Sequence, residues 1–164
     1  SPYCRDYANS QQNLVRDEFE DYASPNVELK YRISPYYLYA SEEVRVRFQS
    51  VGYGDLTVCM ARNQQMTNKE CRTIQDLENV WFNITQPCIK VGDEQCLSIY
   101  FTILVDTTYI RCSEHSCRFP DDVRFVVKPE GLRCEWNAEL GIAASIKLNF
   151  SIMILLLIIL NILD

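Results

Sequence analysis

Residues 42 to 61 read EEVRVRFQSVGYGDLTVCMA, and the fold depends on how this stretch is read. Val44, Val46 and Phe48 alternate with Arg45, Arg47 and Gln49, and Leu56, Val58 and Met60 resume the same period beyond two glycines. Side chains two apart share one face of a strand, so the pattern describes two strands, each with one face in a core and one in water. Between them, Gly52-Tyr53-Gly54-Asp55 supplies what a tight turn needs, because a glycine at position 52 or 54 takes a positive φ without steric cost. The expectation is a hairpin.

The middle of that connection, Val51-Gly52-Tyr53-Gly54-Asp55, also matches the selectivity-filter motif of potassium channels. A filter needs four loops whose carbonyls replace an ion's water shell. Its irregular backbone survives at membrane depth only when protein surrounds it, which requires a pore helix before the loop and spanning helices on both sides. Nothing ahead of Ser50 has an apolar run of spanning length, and EEVRVRFQS keeps the period of a strand and carries two arginines. The motif is therefore read as a turn.

Working outward, the same alternation recurs at Leu29-Tyr31-Ile33, Val80-Phe82-Ile84, Leu97-Ile99-Phe101-Ile103-Val105 and Val123-Phe125-Val127. Several such strands separated by Pro, Asn, Asp and Gly predict an all-β fold, mainly an antiparallel β-sandwich. One short N-terminal helix is expected within NLVRDEFEDYA, residues 13 to 23, where Val15, Phe19 and Tyr22 recur at helical spacing before Ser24-Pro25 ends it. Cys59, Trp81 and Cys112, with Tyr109 ahead of the last, occur in the order of an immunoglobulin domain. Their spacings differ from that fold, so the expectation is sandwich architecture without membership.

The chain has 164 residues, the size of one domain with a tail, and 16 Lys plus Arg against 22 Asp plus Glu give a net charge of -6. That balance offers no electrostatic footprint for nucleic acid, and no Gly-rich phosphate loop seats a nucleotide. Eight cysteines, Cys4, Cys59, Cys71, Cys88, Cys96, Cys112, Cys117 and Cys134, point to a disulfide framework made in an oxidising compartment. Short loops favour Cys112 with Cys117, and Cys88 with Cys96 across Val91-Gly92-Asp93, while Cys4 with Cys134 would staple the two ends. Cys59 and Cys71 belong to the same framework, without an assigned pairing. No C-x-x-C pair occurs and His115 is the sole histidine, so neither a metal site nor a cofactor is expected. His115 lies in CSEHSC, and disulfide-bonded cysteines beside it cannot act as thiolate nucleophiles, so it reads as a surface loop residue.

The two ends indicate a location. Residue 1 is Ser, which fits a chain whose signal peptide has been removed. Asn83-Ile84-Thr85 is an N-glycosylation triplet, and with Val80, Phe82 and Ile84 facing inward, Asn83 and Trp81 face outward. GIAASIKLNF followed by SIMILLLIILNILD has the layout of a glycosylphosphatidylinositol (GPI) attachment signal: small residues, a spacer of about 8–12 residues and a hydrophobic tail of about 10–20. Gly141 is the preferred attachment residue, with Ala143 and Asn137 as fallbacks. The dense apolar run, residues 150 to 160, is short of the about 20 residues that a spanning helix wants. The chain thus divides into an extracellular disulfide-rich β domain (1–136), an attachment region and spacer (137–149) and a hydrophobic C-terminal signal helix (150–164) removed on attachment.

These features imply a GPI-anchored cell-surface glycoprotein acting as a non-enzymatic binding module or co-receptor through protein contacts. Its partners would be the outer membrane leaflet, through the lipid, and an extracellular or lateral membrane protein. Trp81, Tyr36, Tyr37 and Tyr39 are the candidate interface anchors, since such side chains offer large area and a polar handle. One alternative is a surface-tethered hydrolase using the acidic clusters Asp17-Glu18, Glu20-Asp21, Glu42-Glu43 and Asp121-Asp122, which demands a concave site with two carboxylates in reach of each other. The other, a structural coat protein, demands self-association.

Overall fold

The computed structural model describes residues 13–52, 54–91, 95–108, 111–113, 116–118, 122–133 and 138–163. Cys4, Tyr53, His115, Asp121, Cys134 and Asn137 lie outside the described residues. In chain order the elements are β1 (Asn13–Leu14), β2 (Phe19–Ala23), β3 (Leu29–Ile33), α1 (Pro35–Leu38), β4 (Val44–Gly52), β5 (Leu56–Ala61), β6 (Glu70–Ile74) and β7 (Asn79–Ile84). They continue with β8 (Lys90–Val91), β9 (Gln95–Cys96), β10 (Ile99–Val105), β11 (Arg111–Ser113), β12 (Ser116–Arg118), β13 (Val123–Glu130) and α2 (Ala138–Leu163).

The architecture is mostly antiparallel β-sheet. One sheet has the order β1-β3-β10-β5-β6 and the other β2-β13-β4-β7, with β8-β9 and β11-β12 as small two-stranded ladders. The β1–β3 pairing is parallel. In β4 the exposure alternates residue by residue, with Val44, Val46, Phe48 and Ser50 buried and Arg45 exposed, as its sequence period requires. The two inner faces share one cluster of buried apolar side chains. Phe101 of the five-stranded sheet meets Phe48 and Phe82 of the other at ring separations of 5.0 Å and 5.8 Å, and Tyr31 meets Phe125 edge-on at 6.2 Å. These contacts give the pair of sheets a sandwich-like arrangement. Tyr31 is 1% exposed, and its hydroxyl donates to Asp21 Oδ2 at 2.8 Å, which pairs the one polar atom of that side chain across the core.

Two expectations are corrected. Residues 13 to 23 form no helix: β2 pairs antiparallel with β13, from Phe19↔Val127 to Ala23↔Val123. Val15, Phe19 and Tyr22 fit a helical stripe, but Phe19, Asp21 and Ala23 also alternate, and the open flank of β13 offers a ladder of backbone hydrogen bonds that a helix would forgo. The described helix of this half is instead the single turn α1, started by Ser34, whose Oγ accepts from Tyr36 N, with Pro35 in the first turn.

Residues 42 to 61 form no hairpin either. β4 pairs with β13 and β7, whereas β5 pairs with β10 and β6. The glycine-containing connection is therefore an arch from one sheet to the other and not a hairpin. Gly52 has φ +140°, and Ser50 Oγ donates to Gly54 O at 2.8 Å across the bend. Asp55 ties the arch to neighbouring loops, since its Oδ1 accepts from Asp76 N and its carbonyl from Asp106 N, both at 2.9 Å. A Cβ on Gly54 would come 2.8 Å from Val123 Cγ2, so the second glycine serves close packing.

Candidate interaction surface

The four-stranded sheet carries arginines, a lysine and glutamates on its outer side. Cross-strand register places Asn83 opposite Arg45 and Arg45 opposite Glu130, then Trp81 opposite Arg47 and Arg47 opposite Lys128. Arg45 Nη2 donates to Glu130 Oε2 at 2.5 Å, and Lys128 Nζ lies 3.9 Å from the same carboxylate. Arg124 grips Glu20 through two guanidinium nitrogens, Nε on Oε1 and Nη2 on Oε2, the latter bond being 2.8 Å. That bidentate hydrogen bond, aided by the Arg124 charge, holds the Glu20 carboxyl below its ordinary range and raises Arg124 further. Glu18 stands 4.0 Å from Arg47. Of the acidic clusters read from sequence, Glu18 and Glu20 thus face arginines of β4 and β13, while Asp21 accepts from Tyr31.

Trp81 faces outward, in the register that the alternation predicts, because Phe82 and Ile84 are buried and Asn83 is exposed. Its partners are arginines of the adjacent strand. The Arg45 guanidinium carbon lies 4.7 Å and that of Arg47 5.9 Å from the indole centroid, a cation–π arrangement that explains an outward tryptophan on a charged face. Arg72, from the edge strand of the other sheet, donates to Trp81 O at 3.0 Å and sits 5.2 Å from the Phe82 ring. It bridges the two sheets at the β6/β7 edge.

The three tyrosines separate. Tyr36 is 45% exposed on α1, Tyr37 packs against the core cluster, and Tyr39 lies with its ring 5.3 Å from Lys90 Nζ. Ser41 organises this turn, donating from Oγ to Tyr37 O at 2.6 Å and accepting from Arg133 N at 3.0 Å. Tyr39 and Ser41, with residues 86–90, line an open groove of about 640 Å³. Its wall is held by Arg62, which donates to Pro87 O at 2.7 Å and Gln86 O at 2.5 Å and whose pKa is lowered by burial. No carboxylate is among the residues lining this groove.

Cys59 is bonded to Cys71 across β5 and β6, and Cys88 to Cys96 across the small β8-β9 ladder. Cys112 and Cys117 are Cα partners in the β11-β12 ladder. Among the described residues no cysteine is free and no cluster of His, Cys, Asp or Glu has the makings of a metal site. Gly141 and Ala143 fall within α2, where residues 151–163 are exposed throughout. No helix among the described residues is long and apolar enough to cross a membrane.

Tyr22, 56% exposed on β2, joins the exposed aromatics and was hidden in the sequence by the helical reading of its segment. The Arg45–Trp81–Arg47 stack and the Tyr39–Lys90 pair had no sequence signal beyond the polar half of an alternation, because each depends on which strands become neighbours.

No family model matches the chain, and no curated protein sequence matches it. Among solved structures, the chain is similar to the pre-peptidase C-terminal domain of a collagenase from Bacillus anthracis, at 8% identity and TM-score 0.38 over 76% of this chain and 100% of that one. It is similar to PirA at 9% identity and TM-score 0.38, over 74% and 100% of the two chains. Bacillus endospore appendages, described as disulfide-linked pili, align at 13% identity and TM-score 0.37 over 76% and 93%. Likeness at this level assigns this chain neither a family nor an activity.

Proposed function

We propose that this chain is a GPI-anchored cell-surface glycoprotein whose β domain is a non-enzymatic extracellular binding module, acting as a co-receptor through protein contacts. The observation that carries the reading is a partition of apolar side chains. Most apolar side chains of the β strands collect in one buried cluster with a few scattered ones exposed, whereas Ile152 to Leu163 of α2 keep a continuous run of apolar side chains exposed. Preceded by small residues and a spacer, with Gly141 as the attachment residue and Ala143 or Asn137 as fallbacks, such a tail fits a signal exchanged for a lipid. The disulfides Cys59–Cys71 and Cys88–Cys96 suit the secretory route that this lipid requires. The carboxylates Glu20, Glu70 and Glu130 are bonded to arginines, which suits a charged recognition face. Tyr36, with the adjoining Tyr39–Lys90 groove, is the aromatic contact that a partner protein would meet.

The test joins anchorage to recognition. In cells making the full chain, a phosphatidylinositol-specific phospholipase should release it, and labelled ethanolamine should enter it; retention without label would remove the anchor. A soluble form ending at Gly141 should then bind cells saturably, and Tyr36→Asp should abolish that binding. Equal binding by the variant would move the interface elsewhere.

A further inference from the structure

We propose that the glycan at Asn83 is seated on the Trp81 indole, with Arg45 as its polar neighbour, so that Trp81 is a carbohydrate platform and not a protein-docking anchor. The inference rests on the reading that Asn83 is modified and goes beyond it.

Asn83 and Trp81 stand two residues apart on β7 and share its outer face, about 6.5–7 Å apart along the strand. Arg45 is the cross-strand Cα partner of Asn83, and its guanidinium carbon lies 4.7 Å from the Trp81 ring centroid. The amide that would carry the sugar therefore has an aromatic surface beside it along the strand and a guanidinium across the ladder. β7 is the last strand of its sheet, bridged at Trp81 O by Arg72 of β6, and Asn83 is exposed on its outer face, so a branched glycan leaves into solvent from that face. An N-acetylglucosamine ring has an apolar face of C–H groups that packs on the part of the indole left in solvent beside the arginines, while its acetamido and hydroxyl oxygens accept from the Arg45 N–H groups that Glu130 does not engage. Trp81 keeps part of its surface in solvent, and the two arginines hold its ring in place before any sugar arrives. A preordered platform lowers the entropic cost of immobilising the first sugar.

The test uses the full chain from secreting cells as wild type, Thr85→Ala, Trp81→Ala and the double variant. Thr85→Ala removes the glycan without altering either contact residue, and endoglycosidase mobility shifts report occupancy. The glycan should raise the thermal midpoint by about 2–4 °C on the wild-type background and by less than about 1 °C on the Trp81→Ala background. Equal increments on both backgrounds would overturn the platform while leaving the modification in place. An unmodified Asn83 in the wild type would remove the underlying reading and the platform with it. Should Trp81→Ala fail to fold, NMR of the glycosylated wild type decides: the first N-acetyl methyl should be shifted upfield by the indole ring current, and a solution-like shift would refute the contact.

Discussion

Gly131 ends β13 with φ +83°, and a Cβ built there would overlap the Glu43 carbonyl oxygen just before β4 begins. Left-handed backbone and a close backbone approach coincide, so Gly131→Ala should destabilise the domain by at least about 2 kcal/mol, read as a lowered denaturation midpoint. A midpoint equal to wild type would mean that the two backbones do not approach as described. Leu77 is the opposite case. It adopts φ +66° in the turn closed by Glu78 N to Gln75 O, with 69% of its surface exposed, so it bears backbone strain with little packing in return. Leu77→Gly should stabilise by about 0.5–1 kcal/mol after allowing for glycine's greater freedom in the unfolded chain, and a destabilised variant would show that Leu77 packs. Glu20 supplies a pH signature. Its folded pKa is depressed below 4.5 by Arg124, so its contribution is present above pH 4.5 and is lost as pH falls through the folded value. Glu20→Gln should flatten this acid limb of the stability curve. Parallel limbs in the two proteins would mean that the Arg124 pairing does not persist in solution.

Among the elements, the edge strand β6 shows what a cross-link adds. Glu70 to Thr73 are all exposed and only Ile74 reaches the core, yet Cys71 is bonded to Cys59, which is 6% exposed on β5. With 12 residues of separation, replacing both cysteines by alanine should cost about 3 kcal/mol, most of it through the freed unfolded chain. A thermal midpoint within a degree of wild type would show that β6 is held by its ladder alone. The same exposure explains why β6 had no sequence signal: alternation marks a strand when apolar residues recur along a face that enters the core, as in β3, β4, β5, β7, β10 and β13, which were legible even though β3, β5 and β10 also bury neighbouring positions of the other face. β2 was legible as order but misassigned, because Val15, Phe19 and Tyr22 satisfy one period and Phe19, Asp21 and Ala23 the other. The sequence predicts a hairpin where the structure has an arch at Gly52, because a glycine pair reports that the chain bends, not which sheet receives the next strand. At the candidate surface, alternation sufficed to put Asn83 and Trp81 outward. Arg45 and Arg47 could be assigned to the indole only once β4 and β7 were known to be neighbours.

The whole molecule separates into a β domain closed on itself and a terminal helix of different character. Every residue of the core cluster lies between Val15 and Val127, and the apolar groups packed against it extend no further than Leu132. The described part of the domain therefore completes its core without α2, where the apolar side chains of residues 152–163 find no such burial. Folding free energy scales with apolar area removed from water, so a helix that buries none of these side chains in the core adds little to the stability of the domain. A chain ending at Gly141 should accordingly unfold within about 2 °C of the full-length protein held in detergent, with the same cooperativity, and should be secreted into the medium. A broad or much lower transition would mean that residues beyond 141 complete the fold. Such a result would remove the reading of that segment as a detachable signal, because a segment on which the core depends could not be exchanged for a lipid without unfolding the domain it anchors.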